Sequence, residues 1–106
     1  MRLAAALLLI PAAAEAGLAG TYAVDCADPP FESRLRIEGD TVRFYESTCR
    51  MTNPVPVRDM AGAVLYDLAC TGEGESWTER TLFMPGSDGG LVRVIGGMAF
   101  TYARCD

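Results

Sequence analysis

The segment Cys70-Thr71-Gly72-Glu73-Gly74-Glu75-Ser76-Trp77 concentrates the residues of this chain that could do chemistry. Glu73 and Glu75 stand two positions apart, interleaved with glycines, and the chain's single tryptophan follows. Hard cations take several carboxylates on flexible backbone, but a calcium loop needs a ligand count and spacing that this segment lacks. Glycosidase-type catalysis needs two carboxyls at a set distance across a groove, and sequence spacing does not fix that distance. A loop inserted into the cleft of a basic partner needs exposed carboxylates and an aromatic anchor, and this segment has both. The plain structural reading is a polar hairpin turn with Trp77 anchored in the core. That is the expectation, with the partner loop next.

Other reactive groups point away from catalysis. Ser33, Ser47, Ser76 and Ser87 have no base to activate them, because the chain holds no histidine and all nine basic residues are arginines. A histidine triad, a histidine metal site, a Schiff-base lysine and a P-loop lysine are all excluded. The expectation is therefore a protein that is not an enzyme and needs no cofactor, with carboxylate-only chemistry as the one route left. A net charge of −5 and a pI near 4.6 argue against nucleic-acid binding. Arg34, Arg36 and Arg43 cluster with Tyr45 and could meet an anion. The expected reading is a solvated face neutralised by Glu32, Glu38 and Glu46. Asp25, Asp28 and Glu32 around Pro29-Pro30 read as a stiff polar loop, not a metal site.

The elements that must position these residues follow an export segment. Arg2 precedes an unbroken apolar run from Leu3 to Ile10, Pro11 ends it, and Ala14-Glu15-Ala16 fits the small-x-small rule. Residues 1–16 are expected to be a signal peptide and 17–106 a single secreted β domain. The apolar run is too short to cross a bilayer, so no integral membrane segment is expected in the mature chain. Export and a count of four cysteines make two disulfides the default. Cys26, Cys49, Cys70 and Cys105 form no CxxC pair, which argues against zinc or redox chemistry.

No stretch of the mature part shows a sustained helical period. Short β-branched and aromatic runs lie between glycines and prolines, at residues 20–26, 34–38, 41–50, 54–57, 63–70, 77–84, 91–95 and 98–104. With 41–57 as one bent strand, the expected fold is all-β: an up-and-down antiparallel meander or barrel of about seven strands. An odd count would leave a parallel seam or a gap.

Register can be tested at three turns. Centring a hairpin on Gly39-Asp40 sets Ile37 opposite Val42 and Leu35 opposite Phe44, with Arg34, Arg36, Arg43 and Tyr45 on the other face. A second hairpin turns at Gly96-Gly97. Val92, Val94, Ala99 and Ala103 share one face of it. Leu91, Ile95, Met98, Phe100 and Tyr102 share the other, with Arg93 the one charge among them. This second face is either an exposed patch for a partner or apolar ligand, or is covered by the 50–62 connection. Phe100 and Tyr102 therefore join Glu73, Glu75 and Trp77 as candidate binding residues. A third hairpin, centred between Asp59 and Met60, sets Cys49 directly opposite Cys70 and leaves Cys26 for Cys105. If the first and last strands run the same way, Cys26 and Cys105 meet at one rim. Pro54 and Pro56 require their strand to be an edge or irregular.

The outline resembles that of small exported bacterial proteins with a disulfide-stapled β-meander or barrel, periplasmic lysozyme inhibitors among them. The likeness is one of size, export and strand pattern, and it brings no site residues with it. The all-arginine basic set fits a GC-rich bacterial genome. The expected function is that of an exported, periplasmic or secreted, protein-binding or inhibitory domain whose partner is a basic envelope protein. The alternatives are a small apolar-ligand or lipid carrier and an envelope-structural protein.

Overall fold

A computed structural model describes residues 17–27 and 32–106. The expected signal peptide and the Asp28-Pro29-Pro30 part of the polar loop lie outside the described residues. Eight strands follow in chain order: β1 (Gly20–Ala23), β2 (Leu35–Glu38), β3 (Thr41–Arg43), β4 (Thr48–Pro56), β5 (Val64–Gly72), β6 (Glu75–Pro85), β7 (Leu91–Ile95) and β8 (Met98–Arg104). Each pairs antiparallel with the next, and β8 pairs antiparallel with β1, closing a barrel. The all-β antiparallel expectation holds, with eight strands in place of seven. The stretch expected as one bent strand breaks at Phe44–Ser47, where the Phe44 amide donates to the Ser47 carbonyl at 2.8 Å. That extra reversal makes the count even. An even count lets the sheet close antiparallel, so neither the parallel seam nor the gap is present.

Alternation builds the core. Leu35, Ile37, Val42, Leu68, Phe83 and Leu91 are at most 1% exposed and point inward, joined by Tyr22 from β1 and Tyr66 from β5. Each such side chain stabilises the fold by about 1.5–3 kcal/mol through burial. At eight strands the interior is just wide enough for side chains to fill, and here large ones fill it.

The turns explain the register. Ile37 faces Val42, and Gly39 at φ +58° takes the first position of a two-residue turn. Ile95 faces Met98, with Gly96 and Gly97 both at positive φ, as a type I′ turn requires. Phe44 has already left β3, so it does not sit opposite Leu35.

Cys49 lies opposite Cys70 and is bonded to it, with Cα atoms 4.0 Å apart. The expected register is reached by two shifts that cancel. The β4–β5 turn is centred on Met60, since the Val57 amide donates to the Ala63 carbonyl at 2.9 Å. A bulge between Thr52 and Val55 then adds one residue to β4 and restores the Cys49–Cys70 pairing. Asn53 occupies the bulge at φ +52°, a conformation asparagine tolerates better than most residues. Cys26 and Cys105 are also bonded, at a Cα separation of 5.5 Å. Their pairing is as expected, but the first and last strands run antiparallel. Cys26 sits in the turn after β1 and folds back to reach Cys105, clamping the β1–β8 seam.

Candidate functional site

Call the barrel end that carries the β5–β6 hairpin the upper end. Glu73 and Gly74 form its two-residue turn, with φ of +52° and +82°. Gly72 pairs with Glu75 and Cys70 with Trp77. Six consecutive residues, Glu73 to Thr78, are exposed. Trp77 is 38% exposed, so it is a rim residue and not the core anchor expected of a plain hairpin turn.

The β3–β4 turn comes up beside this hairpin because residue 72 is a glycine. A Cβ there would lie 2.6 Å from the Glu46 carbonyl oxygen and 2.9 Å from the Ser47 Cβ. This close approach brings Glu46 to Glu73. Hydrogen bonding between the two carboxyls, and their mutual repulsion, hold the Glu46 carboxyl above the usual carboxylate range, and Glu32 adds to the effect. Glu46, Ser47, Gly72, Glu73, Glu75 and Trp77 line an open groove of about 330 Å³.

A polar chain runs inward from the rim. The Trp77 indole donates to Glu79 Oε1 at 2.9 Å. Glu79 Oε2 lies 3.5 Å from Arg93 Nη2, in an ion pair whose side chains are only 23% and 16% exposed. Arg93 Nη1 donates to the Tyr102 hydroxyl at 3.2 Å. The Arg93 guanidinium carbon also sits 4.7 Å from the Phe44 ring centre and 5.4 Å from that of Phe100. Contacts of this kind with a partly desolvated arginine are worth about 1 kcal/mol each.

The structure thus brings Glu73, Glu75 and Trp77 together at one rim. Phe100 and Tyr102 face the barrel interior below it. Tyr102, 6% exposed, belongs to the core, and Phe100 packs against that core. Of the second face of the last hairpin, Met98 is the strongly exposed member, at 56%. The 50–62 connection does not cover that face as a loop: residues 50–56 are part of β4. Sequence reasoning missed Glu46, Glu79 and Arg93 as site members. Arg93 carried a signal, as the lone charge on an otherwise apolar face. Glu79 shares the face of Trp77 through its two-residue spacing.

On the outer wall, Arg36 pairs with Glu38 at 3.3 Å and donates to Thr21 Oγ1 at 2.8 Å, in keeping with a solvated, partly neutralised face. Among the described residues no cluster of histidine, cysteine and carboxylate side chains could hold a metal, and no helix is long and apolar enough to cross a membrane. Comparison with protein-family models, with curated proteins and with solved structures gives no match.

Proposed function

We propose that this is a small exported, non-enzymatic protein-binding or inhibitory domain. In this reading it meets a basic partner through the upper rim, formed by the β5–β6 hairpin and the β3–β4 turn. The observation that carries it is the run of exposed residues from Glu73 to Thr78, with the tryptophan on the surface. Tryptophan is among the residues that most often dominate interface energies. Glu46, Glu73 and Glu75 around it favour a basic partner and speed encounter with one. Two intact disulfides suit an oxidising compartment, in line with the export segment and a periplasmic or secreted location.

The test is capture from an envelope extract by the wild type and by a Glu73→Ala, Glu75→Ala variant. The expected result is a partner held by the wild type, released as salt rises, and lost from the variant. Equal capture by both proteins removes the rim from the account.

One observation favours a second reading, a carrier of apolar ligands. The opposite barrel end holds an open, mostly apolar groove of about 780 Å³ bordered by Leu18, Met60, Tyr66 and Pro85. Binding of a fluorescent fatty acid that Met60→Glu abolishes would favour it over the rim.

A further inference from the structure

The barrel closes, yet its strands are unequal, and two long strands overhang their neighbours. On its β3 side, β4 pairs over Thr48–Arg50, and beyond that the Met51 amide donates to the Asp40 carbonyl at 2.7 Å. On its β7 side, β6 is paired only over Leu82–Pro85. Among the described residues, the lower part of β4 and the upper part of β6 therefore have no partner strand on one side. An unpaired strand edge is a template for another strand, and natural sheets usually protect it.

The two edges are treated differently. The Val57 amide donates across to β5, and Val55 pairs with Leu65 two positions earlier, so the Val55 amide faces the same way. Backbone groups alternate along a strand. The nitrogens of Pro54 and Pro56 therefore occupy the positions that face the open side. Proline there removes the donors a new strand would need, and the Thr52/Val55 bulge distorts the edge further.

The upper edge of β6 has no such guard. Gly72 and Glu75 close a two-residue turn and so exchange both backbone hydrogen bonds. The Glu75, Trp77 and Glu79 amides then face β5, and those of Ser76 and Thr78 face outward, above the end of β7. The residues from Glu75 to Arg80 include no proline and no bulge.

The geometry points to strand addition at this edge: an extended, basic segment of a partner protein pairs with Ser76 and Thr78 of β6. This rests on the protein-binding reading above and adds its mode. Backbone hydrogen bonds to Ser76 and Thr78 supply the docking, as in other strand-addition complexes. Side chains of the added strand on the inner face lie beside Trp77, and those reaching the rim meet Glu75 and Glu73. Arginine or lysine at those positions is matched by both the aromatic face and the carboxylates.

The probe is a displayed library of random ten-residue peptides, selected on the wild type and counter-tested on Thr78→Pro. That variant loses the outward amide and keeps the β5 ladder, and its thermal transition is checked first. The expected result is enrichment of peptides that alternate Arg or Lys with β-branched or aromatic residues and bind Thr78→Pro more than tenfold more weakly. On wild type, the Thr78 amide should then exchange at least tenfold more slowly with peptide bound. Exchange does not depend on any variant folding. Peptides that need Trp77 and Glu73 but bind Thr78→Pro equally, with Thr78 exchange unchanged, overturn strand addition and leave the rim reading standing. A library that enriches nothing on wild type over Thr78→Pro also overturns it. A concentration-dependent dimer that Thr78→Pro abolishes would assign the edge to a second copy and overturn the basic-partner form.

Discussion

Glu79 and Arg93 connect rim chemistry to fold stability. Their side chains keep only 23% and 16% exposure, so removing one partner leaves the other charge in a poorly hydrated place. Glu79→Ala should cost about 3 kcal/mol, read from chemical denaturation, the low end for a broken buried pair. A cost near zero would mean Arg93 is satisfied by Tyr102 and the rings alone. Glu46 and Asp67 act on stability with opposite signs. Glu73 raises the Glu46 pKa, so ionising Glu46 is disfavoured in the fold. The penalty is absent in acid, sets in as pH climbs through the ordinary carboxylate range, and is complete above the raised value. Glu73→Gln should therefore be more stable than wild type at neutral pH and indistinguishable from it in acid. Asp67 is the converse: the Asn53 amide, then Arg80, hold its carboxyl below the ordinary value. Its contribution is present above the ordinary range and fades as pH falls through the lowered value, and Asn53→Ala should flatten that part of the profile. Glu73, Glu75 and Trp77 were legible in the sequence because they are adjacent in it. Glu46, Glu79 and Arg93 were not, because the pairings of β6 with β7 and of two turns bring them there.

The hairpins were legible where period-two alternation met a glycine turn. Ile37 opposite Val42 and Ile95 opposite Met98 follow from sequence because a one-residue slip would send apolar side chains to solvent. The Phe44–Ser47 reversal was not legible, since none of Phe44, Tyr45, Glu46 and Ser47 is a glycine or proline. The Cys49–Cys70 register was found although the turn centre was placed half a residue away, because the Asn53 bulge compensates. Packing between elements also decides the rim. A Cβ at residue 72 would lie 2.6 Å from the Glu46 carbonyl, so Gly72→Ala must push the β3–β4 turn away from β5–β6. The expected cost is about 1–3 kcal/mol of stability, typical of overpacking. The Glu46 carboxyl should return toward its ordinary range in an NMR titration. An unchanged Glu46 titration would mean that the turn approach does not depend on the glycine.

For the whole molecule, an even strand count closes the barrel and two disulfides fasten it at different depths. Cys49 and Cys70 are 2% exposed, whereas Cys26 and Cys105 are only half-buried and span the short β1–β8 seam. Mild reductant with an alkylating trap should therefore label Cys26 and Cys105 first, by mass spectrometry. A Cys26→Ser, Cys105→Ser variant should lose about 4 kcal/mol, because that bridge closes a long loop. Fully reduced protein should lack a cooperative thermal transition. At this scale the molecule is a filled barrel, and its polar, aromatic upper rim is the surface proposed to meet a partner. The most direct measurement places a photo-crosslinking phenylalanine analogue at position 77, and in a second protein at position 60 on the opposite end, each irradiated in envelope extract. A discrete crosslinked partner is expected from position 77, suppressed by raised salt, and none from position 60. Crosslinks from position 60 alone would contradict the rim reading.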